Sequence, residues 1–161
     1  MLKYYQVFYA GTRSAAPLEM TDNEQQNVVQ TTEYYQVDHW WTHGSKNERF
    51  RCEFSPVSIA RLLEKPTDTD RQMPLGVLFP EHQIVHTEVI LPEAWPVEAG
   101  TKTVSDPAFW FGESVSCTGA KFAMDCEYRS LTDAVPIGGV DDYLRHVDEA
   151  SKSLVYDLIS R

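Results

Sequence analysis

Hydrophobic and polar residues alternate most regularly between Val104 and Arg129, and this alternation predicts a β-hairpin. Successive side chains of a strand point to opposite faces, so each arm has one apolar and one polar face. The apolar positions of the first arm are Phe109, Phe111, Val115 and Cys117, and those of the second arm are Phe122, Met124, Cys126 and Tyr128. Between the arms lies Thr118-Gly119, and we expect it to form the turn because glycine readily takes a positive φ.

Patterns elsewhere in the chain predict further strands and three helices. The expected strands are 28–37, 48–54, 75–79 and 84–91, which are rich in β-branched and aromatic residues. The expected helices are 2–9, 56–63 and 139–160, the last from apolar residues recurring at steps of three and four. We therefore expect a mainly β fold: an antiparallel, immunoglobulin-like β-sandwich with short N-terminal and middle helices and a C-terminal helix.

We expect one domain overall, composed of an N-terminal arm (1–20), a β-sandwich (21–135) and a C-terminal helix (136–161). A chain of 161 residues is long enough to bury a core without a metal or a disulfide. Its formal net charge of −10 argues against nucleic acid as a partner, because phosphate binding needs clustered Lys and Arg. The apolar runs are far shorter than the roughly 20 residues of a membrane-spanning helix.

The candidate catalytic and metal-binding residues of the sequence carry weak signals. None of the three cysteines (Cys52, Cys117, Cys126) opens a predicted helix, so we expect buried, reduced thiols without catalytic activation. His39/His43 and His82/His86 share a four-residue spacing, but the second pair lies at the entry of a predicted strand, whose rise places the two side chains too far apart for one zinc ion. The first pair lies in a predicted loop with Gly44, where geometry does not exclude a shared metal ion. We expect no metal and no cofactor.

Acidic residues are numerous, but their sequence setting does not resemble a paired catalytic site. We expect a solvated acidic surface to include Asp22, Glu24, Glu93, Asp106 and Glu113.

Aromatic residues provide the one candidate binding site. Exposed rings on a β-sheet can stack on sugars or on extended peptides, and the candidates are Trp40, Trp41, Tyr34 and Trp95. Trp40 and Trp41 are consecutive, so on a strand one ring would be buried and the other exposed. Packing of all these rings in the core or at a sheet edge is the alternative explanation.

A series of landmarks along the chain resembles one known family. In order, these are LKYYQVFYAG, TDNEQQNVVQTTEYYQVDHWW, RQMPLGVLFP, EVILPEAWPVE, DPAFWF and MDCEYRSLTDAVPIGGVDDYL. They are similar to the C-terminal region of bacterial transglutaminase-like proteins, in which a β-rich domain and a papain-type core precede a β-sandwich. The catalytic cysteine motif of that core has no counterpart in this sequence.

The resemblance implies a non-catalytic tail module of a larger envelope protein. Its expected partner is the catalytic core of the same parent chain or another protein, a homodimer being left open. A periplasmic or envelope location follows only from the resemblance. The sequence leaves open two other classes, a carbohydrate- or peptide-binding sandwich that uses the exposed Trp residues and an independent enzyme; we expect no enzyme.

Overall fold

The computed structural model describes residues 2–38, 40, 42–43, 50–66 and 72–159, and these residues form a mainly β structure with antiparallel strand pairs. Three α-helices are present among them: α1 (Leu2–Phe8), α2 (Val57–Leu62) and α3 (Val140–Ser153). The strands in the same part of the chain are β1 (Thr12–Ser14), β2 (Glu19–Asn23), β3 (Val28–Thr32), β4 (Tyr35–Val37), β5 (Thr42–His43), β6 (Phe50–Phe54), β7 (Leu75–Gly76), β8 (His82–Ile90), β9 (Gly100–Ser105), β10 (Phe109–Thr118), β11 (Lys121–Ser130), β12 (Ala134–Val135) and β13 (Tyr156–Ile159).

The chain divides into two compact units, residues 1–52 and residues 53–161. No α-helix in the described part of the chain is long and apolar enough to span a membrane. The predicted division at residues 20 and 135 stays a prediction.

The first unit contains α1 and two antiparallel strand pairs, β1–β4 and β2–β3; β5 also lies in it and pairs with β6, which runs past residue 52. Thr12 ties α1 to β1, because its hydroxyl donates to the carbonyl of Tyr9 at 2.6 Å. Gly11 precedes this strand with a φ of +89°, a conformation that a residue with a side chain adopts only at a cost. The ring of Tyr5 on α1 packs 4.9 Å from the ring of Tyr35 on β4.

The second unit is built on a four-stranded antiparallel sheet in the order β8-β11-β10-β9. Alternation along β10 and β11 gives this sheet an inner, apolar face, as the sequence predicts. The buried members of that face include Phe109, Phe111, Val115, Phe122, Met124, Cys126 and Tyr128. The turn lies one residue later than predicted, because Thr118 pairs with Lys121 and Gly119, at φ +61°, begins the two-residue loop.

Two elements of the second unit cover this inner face. Tyr143 of α3 meets Phe109 edge-on at 5.7 Å, and Tyr156 of β13 lies 4.9 Å from Phe122. Helix α2 also packs near β8 and β11. Burial of these rings stabilises the sheet, since apolar surface removed from water contributes roughly 25 cal/mol per Å².

Two predicted elements differ from those observed. Residues 28–37 form two strands with different partners, because β3 ends at Thr32 and pairs with β2, whereas β4 begins at Tyr35 and pairs with β1. The last helix ends at Ser153, and Tyr156–Ile159 is a strand, so the prediction of a helix through residue 160 is wrong there. Leu154, at φ −70° and ψ −22°, still has helical backbone, whereas Leu158 lies in the strand, so the four-residue spacing between them does not mean that one helix contains both.

Candidate interaction surface

The β2–β3 hairpin of the first unit is the most exposed regular element in the described part of the chain. Every residue of β2 is exposed, and so is every residue of β3 except Thr32, which is half-buried. Its turn is fixed locally: the Asn23 side chain accepts a hydrogen bond from the Gln26 N–H at 3.1 Å, and Asn27 adopts a φ of +52°. Asparagine tolerates this left-handed conformation better than most residues, which explains a tight turn without glycine.

One face of this hairpin carries apolar side chains in water. The strand register places Met20 opposite Thr31 and Asp22 opposite Val29, so Met20 and Val29 are diagonal neighbours on the same face. Met20 is 68% exposed and Val29 is 63% exposed. The opposite face carries Val28, at 49% exposure, among polar residues. An isolated two-stranded hairpin of this size is marginally stable in water. Burial of these apolar side chains against a partner would therefore stabilise the hairpin.

The hairpin also carries charge of a single sign. Residues 19–33 contain four acidic residues (Glu19, Asp22, Glu24, Glu33) and no Lys, Arg or His. Elsewhere in the unit, Arg13 forms an ion pair with Asp38, whose atoms lie 3.3 Å apart. A surface that combines exposed apolar groups with carboxylates is complementary to an apolar patch bordered by Lys and Arg.

The four aromatic residues predicted to bind a ligand lie in different settings. Tyr34, between β3 and β4, is 44% exposed, and Trp40 is half-buried, with its ring 5.6 Å from that of Tyr9. Trp95, in the second unit, is buried with 7% of its surface exposed. Trp41 lies outside the described residues. Their role as a binding platform stays a prediction.

A further aromatic residue, Trp110, lies on the outer face of the four-stranded sheet, and the sequence analysis did not select it. Its ring lies above Gly112, the neighbour two residues along the strand, and the Arg129 guanidinium lies 5.3 Å from the ring centroid. Arg129 also donates to Glu127 at 2.6 Å, and this bond is the main reason that the pKa of Glu127 is below its usual range. The signal in the sequence was the W-x-G spacing, because a glycine leaves room for a ring on the same face.

The cysteines are free thiols, and the structure agrees with the predicted burial of two of them. Cys52 and Cys126 are buried, and Cys117 is half-buried. Burial raises the pKa of the Cys126 thiol to about 12, with nearby Glu113 and Asp125 adding to the effect. A thiol with such a pKa is protonated at neutral pH and is a poor nucleophile.

The described histidine side chains all bond carboxylates. His82 lies 2.8 Å from Glu127, His86 lies 2.6 Å from Asp125, and His146 lies 2.7 Å from Asp106. His82 and His86 lie on the exposed face of β8. In the described part of the chain no group of three His, Cys, Asp or Glu side chains is placed to hold a metal ion. The side chains of His39 and His43 lie outside the described residues.

Two carboxylates that the sequence analysis assigned to the solvated surface are buried, and that assignment is wrong for them. Asp106 is 6% exposed, with Oδ1 accepting from the Ala108 N–H at 2.8 Å and Oδ2 accepting from His146 Nδ1. Glu113 is also 6% exposed and lies on the inner face of β10, between Phe111 and Val115. The odd-numbered residues of β10 face the inner side of the sheet, so the alternation along the strand indicates that Glu113 faces inward as well. Asp22, Glu24 and Glu93 are exposed, as predicted.

Glu113 has an unusual electrostatic setting. Its Oε2 atom is buried and makes no hydrogen bond to the described part of the structure. Burial raises the pKa of this carboxyl, and Lys102, its register partner on β9, partly opposes the rise. On the other side, its register partner on β11 is Cys126, whose thiol provides no positive charge to balance the carboxylate.

Comparison with known proteins gives no family for this chain: no family model, no curated protein and no solved structure matches it.

Proposed function

We propose that the chain is a non-catalytic interaction module and that the β2–β3 hairpin is its docking element. The observation that carries this proposal is the exposure of Met20 and Val29 together on one face of a hairpin without positive charge. The partner is a protein that offers an apolar groove bordered by Lys or Arg. Following the resemblance in the sequence, we propose a transglutaminase-like core of the same parent chain as this partner.

The chemistry of the described side chains supports a non-catalytic role. The buried thiol of Cys126 has a pKa of about 12, and the described imidazoles bond carboxylates. Catalysis by a cysteine needs a thiolate activated by a nearby base, and this arrangement supplies neither at Cys126.

The immunoglobulin-like sandwich is a further part of the proposal. The four-stranded sheet supplies one layer, and the contact between Tyr156 of β13 and Phe122 supports a second β layer beside α3. In such a module one sheet and its loops dock on the partner while the core holds the domain together.

The test measures binding of the full chain to the separately expressed transglutaminase-like core by isothermal titration calorimetry. We expect binding that weakens as salt is raised, because the hairpin is acidic. The double variant Met20→Asp/Val29→Asp should weaken binding by about 100-fold or more, since it removes both exposed apolar contacts.

The control is Val7→Asp, which places one new carboxylate on a residue of α1 that is 78% exposed. It should bind like the unmodified chain. Equal loss of affinity in both variants, or no binding of the unmodified chain at about 100 µM, rejects the hairpin as the docking element.

A second candidate function is binding of a sugar or an extended peptide, favoured by the 44% exposure of the Tyr34 ring at the base of the hairpin. Trp40 belongs to the same unit and would report binding through its fluorescence. Titration with glycan or peptidoglycan fragments should shift that emission if this candidate is correct. Constant emission at millimolar ligand removes it.

A further inference from the structure

Strand β8 forms one edge of the four-stranded sheet, and its backbone geometry shows which residues face outward along that edge. Leu91 N–H donates to the Ala120 carbonyl at 2.8 Å, and Ser130 N–H donates to the Glu81 carbonyl at 2.9 Å. Odd-numbered residues therefore use their backbone groups toward β11. Even-numbered residues of β8 present N–H and C=O groups to the free edge, where no other described strand pairs.

The side chains of this strand form a palindrome centred on Thr87. The sequence reads Ile84-Val85-His86-Thr87-Glu88-Val89-Ile90, so each residue has a partner of matching or opposite character at the same distance from the centre. Ile84 and Ile90 lie on the outer face and are 67% and 74% exposed. Large, exposed apolar side chains on a regular edge strand are what natural sheets normally avoid unless the edge has a partner.

We propose that two copies of this chain associate through antiparallel pairing of β8 with β8, about a two-fold axis at Thr87. This register places Ile84 opposite Ile90 of the second copy and His86 opposite Glu88 of the second copy, each twice. On the inner face it places Val85 opposite Val89 of the second copy. The two four-stranded sheets then form one continuous eight-stranded sheet, and the interface is isologous.

Backbone parity and side-chain chemistry select this register over its neighbours. Hydrogen-bonded pairs across the edge must join even-numbered residues of the two copies. The two-fold axis must therefore lie at a residue, not between two residues, and alternative registers differ by whole-residue shifts of the axis. An axis at His86 pairs imidazole with imidazole and Ile84 with Glu88. An axis at Glu88 pairs two carboxylates. Only the axis at Thr87 joins apolar with apolar and cation with anion throughout.

The charged groups around His86 are consistent with this arrangement. Within one chain the imidazole bonds Asp125 at 2.6 Å and Glu88 at 3.2 Å, while Glu88 also pairs with Lys121. These carboxylates hold the imidazole on the outer face of the edge strand. Both ring nitrogens are used within the chain, so in the dimer Glu88 of the second copy adds a coulombic attraction to the imidazole rather than a further hydrogen bond.

Sedimentation velocity on the full chain between about 1 and 200 µM tests the proposal, with a monomer–dimer equilibrium as the expected result. Ile84→Lys/Ile90→Lys places lysine opposite lysine and should weaken association by about 100-fold or more. Ile84→Lys/Ile90→Glu places lysine opposite glutamate at both sites, and its dimer should recover to within about 10-fold of the original and become salt-sensitive. Because both residues are largely exposed, neither variant disturbs the core, and circular dichroism checks this.

Oxidative cross-linking fixes the register. In a Cys117→Ser background, Ile84→Cys/Ile90→Cys should form a covalent dimer, since hydrogen-bonded antiparallel pairs place Cα atoms about 5.5 Å apart, within disulfide range. Ile84→Cys/Glu88→Cys is the control for the register centred on His86 and should stay monomeric on a denaturing gel. A chain that is monomeric up to the highest concentration, a Lys/Glu variant that fails to recover, or a cross-link only in the control overturns the proposal.

Discussion

Replacing Glu113 by leucine should stabilise the protein, although the residue lies in the middle of the central sheet. The carboxyl is 6% exposed, its Oε2 atom has no hydrogen-bond partner in the described structure, and Phe111 and Val115 flank it on the same face. A buried polar group without a partner costs about 1–3 kcal/mol, and leucine occupies a similar volume without that cost. We therefore expect the free energy of unfolding to rise by about 1–3 kcal/mol at pH 8.

The gain should depend on pH in a defined direction. Burial raises the pKa of Glu113 in the folded protein above its ordinary value of 4.5, so the folded state holds this proton more tightly than the unfolded state. The unmodified chain then loses stability as pH rises from 4.5 toward the raised folded pKa, and above that the loss is complete. Relative to the unmodified chain, Glu113→Leu should gain least stability near pH 4, and the gain should grow as pH rises.

Urea denaturation at pH 4, 6 and 8, followed by tryptophan fluorescence and circular dichroism, measures this difference. A gain of 1 kcal/mol corresponds to a rise of about 2–4 °C in Tm for a chain of this size. Glu127→Leu is the matched control. Its carboxylate bonds Arg129 and His82, so the same substitution should cost up to about 1 kcal/mol. A Glu113→Leu variant that is less stable at pH 8, or a difference that does not change with pH, refutes the reasoning.

Three further outcomes test the second unit. His146→Ala leaves the buried Asp106 carboxylate with one partner fewer and should lower the free energy of unfolding by about 1–3 kcal/mol in urea titrations. Gly112→Ala places a methyl group against the ring of Trp110, at 3.0 Å from Cζ2, so the ring must move and the tryptophan emission should shift while the fold persists. Because the pKa of Cys126 is about 12, only about one such thiol in ten thousand is ionised at pH 8, and Ellman's reagent should label it only when urea unfolds the chain.

Local alternation predicted the central hairpin well, because each strand of it exposes one face and buries the other. The inner face from Phe109 to Tyr128 follows directly from that period of two. The turn was predicted one residue early, since a glycine at φ +61° satisfies either of two adjacent registers locally and only the paired strands decide between them.

The parts that sequence reasoning missed depend on contacts distant along the chain. Leu158 continues the apolar spacing of α3 in the sequence, but it lies in the strand Tyr156–Ile159, where it is buried. Glu113 was assigned to the solvated surface because a carboxylate usually is solvated, although its position in the alternation indicated the inner face. The exposure of Met20 and Val29 likewise could not be predicted, because apolar and β-branched residues in a strand pattern are expected to be buried.

Asp106 connects two pieces of the second unit that are far apart in sequence. One oxygen of its carboxylate fixes the bend that leads into β10, and the other fixes His146 in the middle of α3. Detachment of α3 would expose the Asp106 carboxylate to solvent and would at the same time release the bend before β10. The amide protons of both segments should therefore exchange with solvent at a common rate, which makes the final helix an integral part of the sheet's cooperative unit rather than an appendage that frays independently.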